Sequence, residues 1–256
     1  MHFVAIADTD IGTSKNTNQD SILIKHASTL NGEVLLAIVC DGMGGLAKGE
    51  LASATVIRSF SDWFDNELAK ELSSLDMKVI AGKIELMLKD LNLRILEYGK
   101  YTGINLGTTF SGILFVDNQY VIAHVGDSRV YYMGSSINQL TEDQTVVARE
   151  VRLGRMTVEE AKLDKRRNIL LQCIGASRIV NPQIIYGLAE KGAYMLCSDG
   201  FRHKITEDEI FESLKPAKLT SKKIMHANAK KMIDLVKSRK ERDNVSVVLI
   251  KIEWGK

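Results

Sequence analysis

Five aspartates in this 256-residue sequence stand where a predicted strand begins or ends, or where a predicted hairpin turns. A carboxylate at the end of a buried apolar strand is costly unless a cation compensates for it, and hard divalent cations prefer oxygen ligands. If these strand ends converge, the side chains form a cation site. An oxygen-only ligand set favours Mg²⁺ or Mn²⁺ over zinc, whose sites favour His and Cys. The five are Asp20, Asp41, Asp127, Asp199 and Asp243.

Taken singly, each of these aspartates has a simpler interpretation. Asp-Gly and Gly-Asp-Ser sequences form turns, because Asp hydrogen-bonds its own backbone and Gly accepts positive φ. Metal chemistry is favoured because several motifs occur together and in one order. These are Asp41-Gly42-Met43-Gly44-Gly45, Gly107-Thr108-Thr109, Gly126-Asp127-Ser128-Arg129, Ser198-Asp199-Gly200 and Arg242-Asp243-Asn244.

The elements that must position these motifs follow from hydrophobic periodicity. Alternation and turn residues predict strands at residues 3–7, 21–25, 34–40, 109–116, 120–125, 130–133, 183–188, 193–197 and 245–252. Apolar residues at three- and four-residue spacing predict helices at 54–68, 80–95 and 222–236, and Thr206 with Glu209 caps another. Groups of strands alternating with groups of helices predict an α+β layered sandwich rather than a doubly wound parallel sheet.

Residues 141–177, which we call the flap, differ from the rest of the chain. They carry mixed charge and few strand signals, and Thr157 with Glu160 marks the start of a short helix. We expect a surface segment beside the aspartate site. The length suits one large domain, so we expect a single catalytic domain over residues 1–256 that includes the flap.

Composition limits the partners. The 34 basic and 32 acidic residues leave a net charge of +2, which favours neither nucleic acid nor an anionic membrane. The apolar runs are far shorter than the roughly 20 residues of a membrane span, and residues 1–4 do not resemble the start of a signal peptide. We therefore expect a cytoplasmic protein. Three cysteines without a CxxC pair are expected to be buried and reduced.

One local charge excess is hidden by the overall balance. Between Lys215 and Arg242, ten basic residues face two acidic ones. A solvated helix face is the favoured interpretation, and a docking surface for an acidic or phosphorylated partner is the alternative.

The ordered motifs resemble those of the metal-dependent (type 2C, PPM) Ser/Thr protein phosphatases, most closely their bacterial form, over nearly the whole chain. The resemblance implies a four-layer α-β-β-α sandwich with two central antiparallel β-sheets flanked by helices. It also implies two Mg²⁺ or Mn²⁺ ions, a third and weaker ion, and hydrolysis of phosphoserine and phosphothreonine by a metal-bridging hydroxide. The expected partners are phosphorylated proteins made by a Ser/Thr kinase, and the expected oligomeric state is a monomer.

Site residues follow from the same resemblance. Asp41 would bridge two ions and act in catalysis with Asp199 and Asp243, while Asp20 would hold metal-bound water and Asp127 would help bind the third ion. The metal ligands implied are Asp20, Asp41, the Gly42 carbonyl, Asp127, Asp199 and Asp243.

The sequence departs from the family pattern at two positions. Lys15 stands where many relatives carry the arginine that grips the substrate phosphate, and Met43 stands where eukaryotic members often have His. Lys15 is therefore the candidate phosphate-binding residue, and a catalytically weak pseudophosphatase that binds phosphoproteins is the alternative function. Asp8-Thr9-Asp10 resembles the nucleophile motif of haloacid dehalogenase-type phosphatases. This interpretation fails, because Gly12 occupies the position where those enzymes need Thr or Val.

Overall fold

The structure is a computed structural model that describes residues 1–29, 32–43, 48–72 and 76–253. Gly44 and Gly45 of the Asp41 motif lie outside the described residues. Among the residues described, no helix is both long enough and apolar enough to span a bilayer.

The described residues form two five-stranded sheets in which neighbouring strands pair antiparallel. In chain order the strands are β1 (His2–Asp10), β2 (Ser21–Thr29), β3 (Gly32–Cys40), β4 (Phe110–Val116), β5 (Gln119–Val125), β6 (Arg129–Met133), β7 (Ile137–Gln139), β8 (Gln183–Leu188), β9 (Gly192–Cys197) and β10 (Val245–Glu253). The first sheet has the order β1-β10-β9-β6-β7, and the second has the order β2-β3-β4-β5-β8.

Helices cover the outer faces of both sheets and also build the flap. They are α1 (Gly49–Asn66), α2 (Leu68–Glu71), α3 (Met77–Thr102), α4 (Val146–Arg152), α5 (Val158–Leu163), α6 (Asp199–Arg202), α7 (Glu207–Leu214) and α8 (Lys222–Ser238). The capping boxes predicted at Thr157 and Thr206 both form, each with Glu three residues later.

The side chains of β3 show how the layers arise. Side chains alternate between the two faces of a strand, so a continuous apolar run is buried on both sides. Val34, Leu36 and Ile38 pack in the cluster that includes α1 and α3. Their neighbours pack in the cluster between the two sheets; these are Leu35, Ala37 and Val39.

The first sheet is layered in the same way. Leu249 of β10 packs with α8, while Val248 and Ile250 pack between the sheets. The apolar stripe of α8, predicted as core, is buried there: Met225, Ala229, Met232 and Val236. Three apolar layers therefore separate four layers of secondary structure, which confirms the predicted α-β-β-α sandwich.

The three cysteines are buried and unbonded, as predicted. Four short elements, β7, α2, α4 and α6, were not predicted, because three to seven residues are too few to show a period. The flap contains α4 and α5 and no strand, and all of its residues are described.

His124 on β5 gives the fold a measurable pH dependence. Its ring is fully buried, with Nδ1 2.9 Å from Ser111 Oγ and Nε2 3.1 Å from the Glu142 carbonyl oxygen. Burial lowers the pKa of His124 from 6.5 to about 4. Between these values the unfolded chain binds a proton that the folded chain does not, so stability falls as the pH drops.

We expect His124 to cost the wild type about 3 kcal/mol of unfolding free energy between pH 7 and pH 4. Urea unfolding across this range should show a shallower pH dependence for His124→Gln, which cannot titrate. Equal slopes for the two proteins would contradict the prediction, whatever their absolute stabilities.

Candidate functional site

Strand register brings the five aspartates to one end of the sandwich. Ser21 pairs with Cys40 across β2 and β3, so Asp20 and Asp41 lie side by side just beyond that pair. Arg129 and Val247 both pair with Cys197 of β9, which brings the turn holding Asp127 and the approach to β10 beside Asp199. Five separated segments therefore meet at one edge.

Two details differ from the sequence prediction. Asp199 does not end a strand: β9 stops at Cys197, and Asp199 is the first residue of α6. Asp243 lies two residues before β10 rather than at its start. Both remain at the same edge, because Ser198 N–H donates to the Ser246 carbonyl and holds the two chains together.

The Gly107-Thr108-Thr109 motif fixes the backbone of Asp41. The Asp41 N–H donates to Thr109 Oγ1 at 2.9 Å, and the Asp41 carbonyl accepts from Thr109 N–H at 2.8 Å and from Thr108 Oγ1 at 2.9 Å. Because the main chain takes these bonds, the Asp41 carboxylate remains available to a ligand.

Gly42 must be glycine for steric reasons. A Cβ at this position would lie 2.4 Å from the Gln19 carbonyl oxygen and 2.6 Å from that of Gly49. The Gly42 N–H donates to the same Gln19 oxygen at 3.1 Å. This contact ties the end of β3 to the turn that precedes β2.

Asp20 is a buried acid with half of its hydrogen-bonding capacity unused. Its Oδ2 accepts from Ser246 Oγ at 2.6 Å, while Oδ1 is buried without a partner. Burial and the charges of Asp199 and Asp243 raise the pKa of Asp20 to about 7, although hydroxyl hydrogen bonds oppose the rise. An unpaired buried carboxylate oxygen is expensive, which makes it suited to a cation or its water.

Asp41 and Asp127 feel the same concentration of negative charge. Removal from water, followed by the charges of Asp20 and Asp199, raises the pKa of Asp41 well above its ordinary value. Burial and Asp199 raise the pKa of Asp127 to about 7, against the opposing charge of Arg202. Within the described ranges, no group of three or more His, Cys, Asp or Glu side chains is arranged so that it could hold a metal ion as it stands. The acids are thus close enough to interact strongly without forming a finished metal shell.

The structure places Lys15 at this cluster. Its Nζ lies 2.8 Å from Asp243 Oδ1. Partial burial acts to lower the pKa of Lys15, but the Asp243 hydrogen bond and the charges of Asp243 and Asp41 outweigh it, so this pKa is raised. Lys15 therefore stays protonated at neutral pH, beside the acids predicted to hold the metals.

Asn244 belongs to the Arg242-Asp243-Asn244 motif, but the sequence did not reveal its role. The Asn244 Oδ1 accepts from Gln19 N–H at 2.9 Å, and its Nδ2 donates to the Ile11 carbonyl at 2.8 Å. These bonds hold the loop that carries Lys15 against Asp243. They join residues more than 200 positions apart, a separation that no local pattern reveals.

A partly buried ion network at the base of the flap was also missed. Arg129 binds Asp143 through two parallel bonds, Nε to Oδ1 at 2.7 Å and Nη2 to Oδ2 at 2.8 Å. Arg202 donates to the Asp127 carbonyl at 2.9 Å and lies 3.5 Å from Asp143 Oδ2. Bidentate pairs fix orientation, so Asp143 couples the start of the flap to the Asp127 turn. The adjacent charges in the Gly-Asp-Ser-Arg motif were the available signal.

These features agree with comparisons to known proteins. The protein phosphatase 2C family profile matches residues 12–233. The serine/threonine phosphatase Stp of Listeria monocytogenes is 31% identical over 89% of this chain and 91% of its own length. The crystal structure of the serine/threonine phosphatase Stp1 from Staphylococcus aureus has a TM-score of 0.88 and 27% identity, covering 99% of this chain and 96% of that one. The catalytic domain of the serine/threonine protein phosphatase PstP, crystallised with two manganese ions, has a TM-score of 0.78 and 28% identity over 97% of each chain.

Proposed function

Because this chain belongs to the protein phosphatase 2C family and is a protein-serine/threonine phosphatase, we propose that it acts at the aspartate cluster with two bound Mg²⁺ or Mn²⁺ ions. Its substrates would be phosphoserine and phosphothreonine in proteins modified by a Ser/Thr kinase. The observation that carries the proposal is the convergence of five aspartates from five segments on one edge of the sandwich.

The charges at this edge require cations for phosphate to bind. When ionised, the five aspartates exceed the two positive charges of Lys15 and Arg202, so the edge would repel a phosphate dianion. Two divalent cations would reverse that sign. The unpartnered Oδ1 of Asp20 and the all-oxygen donor set fit Mg²⁺ or Mn²⁺.

We assign the ions to the residues named from the sequence. When bound, they would supply Lewis-acid chemistry that activates water and stabilises charge on the transferring phosphoryl group. The holding groups would be Asp20, Asp41, the Gly42 carbonyl, Asp127, Asp199 and Asp243, with Asp127 and Asp199 serving the third and weaker site.

The chain's own residues would do the remaining work. Thr108 and Thr109 orient Asp41 through its backbone, and Ser246 holds one oxygen of Asp20. Lys15 would move its hydrogen bond from Asp243 to the substrate phosphate once the acids are occupied by cations. A flexible ammonium attracts phosphate but orients it less firmly than the planar fork of arginine.

Replacement of Lys15 tests that role. We expect Lys15→Ala to lower kcat/KM on p-nitrophenyl phosphate by about 5- to 30-fold, or roughly 1–2 kcal/mol, which is the scale of a charge-assisted hydrogen bond. Lys15→Arg should keep or improve activity.

Lys25→Ala is the matched control, because Lys25 also pairs with an aspartate, Asp65, at 2.6 Å and is 27% exposed against 29% for Lys15. Its constants should match the wild type. Wild-type constants for Lys15→Ala would remove Lys15 from phosphate binding.

The function itself is tested by turnover and by metal binding measured separately. We expect hydrolysis of p-nitrophenyl phosphate and of phosphoserine peptides with Mn²⁺ or Mg²⁺, and none with EDTA. Calorimetric titration of Mn²⁺ should show at least two sites. Metal and phosphopeptide binding without turnover would instead support the pseudophosphatase, and failure to bind metal would contradict both.

A further inference from the structure

A pocket adjoins the aspartate cluster and differs from it in charge. It has a volume of about 620 Å³ and shares Asp243 and His203 with the edge of the cluster, where His203 Nε2 lies 3.5 Å from Asp199 Oδ2. Its walls come from the flap, the turn after α6 and the loop between α8 and β10. The basic residues that line it are Arg167, Lys204, Arg239, Lys240 and Arg242.

Most of these cations are unpaired. Arg239 is committed to Glu209, with Nη1 2.8 Å from Oε2. In the part of the chain that the structure describes, the other four basic residues make no ion pair, and their side chains are exposed. The buried wall residue Glu241 directs one carboxylate oxygen to the N–H groups of Arg242 and Asp243, at 2.7 and 3.0 Å. The pocket therefore presents an excess of positive charge directly beside the candidate metal site.

Lys240 occupies a backbone position that disfavours lysine. Its φ is +63°, in the left-handed region, just beyond the end of α8. Glycine or asparagine is the usual residue at such a helix end, because a Cβ there crowds the following carbonyl oxygen; glycine has no Cβ, and the short asparagine side chain can hydrogen-bond locally. Strained residues of this kind cluster at functional sites, which supports a binding role for the charge of Lys240 at the rim of the pocket.

We propose that this pocket, the basic subsite, binds an anionic side chain of the phosphoprotein substrate, a few residues away from the phosphoresidue being hydrolysed. The inference rests on the proposed function and adds a substrate class to it. The carboxylate of Asp or Glu is the group to which we commit. The pocket opens onto the site at Asp243, so a substrate chain with its phosphate at the metals can extend a neighbouring side chain into it. Part of the basic excess between Lys215 and Arg242 would thus contact substrate rather than serve only as a solvated helix face.

The test compares phosphoserine peptides that differ only in flanking residues. One peptide has neutral flanks. A second carries acidic residues on the N-terminal side of the phosphoserine, and a third carries them on the C-terminal side. A fourth carries a second phosphoserine in place of the acidic residues. We expect the wild type to prefer one acidic peptide over the neutral one by about fivefold in kcat/KM, the effect of one or two exposed charge pairs. The preference should fall at high salt, because exposed charges are screened.

The decisive variant is Lys204→Gln with Lys240→Asn, in which the asparagine suits the left-handed backbone. It should abolish the acidic preference and leave kcat/KM on p-nitrophenyl phosphate within about twofold, since that substrate has no flanking chain. The matched control is Lys222→Gln with Lys223→Gln, two exposed lysines at the opposite end of α8, which should retain the preference.

Several results would overturn the inference. Wild-type turnover without any acidic preference would remove the subsite while leaving the phosphatase function intact. Loss of p-nitrophenyl phosphate hydrolysis in the double variant would show that these lysines support the catalytic centre instead. A preference only for the second phosphoserine would show that the subsite takes phosphate rather than carboxylate, against our assignment. No wild-type turnover on any substrate would contradict the phosphatase function itself.

Discussion

Asp41→Asn is expected to lower Mn²⁺-dependent phosphatase activity by at least about a hundredfold while making the metal-free protein more stable. Loss of groups that merely support metal ligands already costs about 10- to 100-fold, so loss of Asp41, the proposed bridging ligand, should cost more. The gain in stability has an electrostatic origin. Burial and four neighbouring acids destabilise the Asp41 carboxylate, and a neutral amide of the same shape removes that repulsion.

The measurement pairs kinetics with thermal unfolding, with and without Mn²⁺. For a chain of this size each kcal/mol gained should raise the melting temperature by roughly 2–4 °C, and added Mn²⁺ should stabilise the wild type more than the variant. Asp199→Asn should lose as much Mn²⁺-dependent activity as Asp41→Asn. Asp117→Asn is the control, since it makes the same change in the turn between β4 and β5, where the backbone is left-handed with a φ of +48° and accepts asparagine.

Either of two results would count against the binuclear site. One is retention of more than about a tenth of wild-type activity by Asp41→Asn or Asp199→Asn. A variant that lacks a metal ligand should retain much less activity than this. The other is an equal Mn²⁺-induced stabilisation of wild type and Asp41→Asn.

Gly12→Ala should damage both the fold and the activity, although it adds a single methyl group. Gly12 has a φ of +79°, and a Cβ there would lie 2.0 Å from the Asp243 carbonyl oxygen. The backbone must move, and the residue that the added methyl group would displace is Asp243, which is both a candidate metal ligand and the ion-pair partner of Lys15. We expect a loss of at least about 2 kcal/mol in unfolding free energy and at least a tenfold loss in kcat/KM.

Gly103→Ala separates backbone strain from collision. Gly103 also has a positive φ, +69°, at the end of α3, but a Cβ there meets nothing within 4 Å. This control should cost about 1 kcal/mol of stability and leave kcat/KM unchanged. If the two variants were equally stable and active, the close approach of Gly12 to Asp243 could not be what positions the site.

The sequence predicted the fold where each element was long enough to show its own period. The continuous apolar run of β3 and the spacing of Ile80, Ile84 and Leu88 in α3 identify both elements without tertiary information. It failed for β7, whose Ile-Asn-Gln sequence has no alternation to detect. It predicted the end of β9 at Cys197 but not the four-residue helix that begins at Asp199, which Gly200 would ordinarily disfavour.

The identity of the candidate site residues was easier to predict than their support. Asp20 and Asp41 stand out as carboxylates beside apolar strands, and Lys15 is implied by the family resemblance. By contrast, the bond from Ser246 to Asp20 spans 226 positions and depends on how strands from different sheets approach each other. Similarly, the pairing of Arg129 with Asp143 depends on the path of the chain through β7, which was not predicted.

The pairing of β1 with β10 affects how the protein is made. His2 pairs with Glu253 and Asp10 with Val245, so β1 must wait for a strand that is synthesised more than 200 residues later. Contacts this distant in sequence close late and slow folding. The second sheet and its helices can assemble from residues 21–188 during synthesis, but Asp243 and its neighbours arrive only with β10. A nascent chain in which β10 has not yet been synthesised would therefore hold an incomplete aspartate cluster, and phosphatase activity would begin only after β10 has paired.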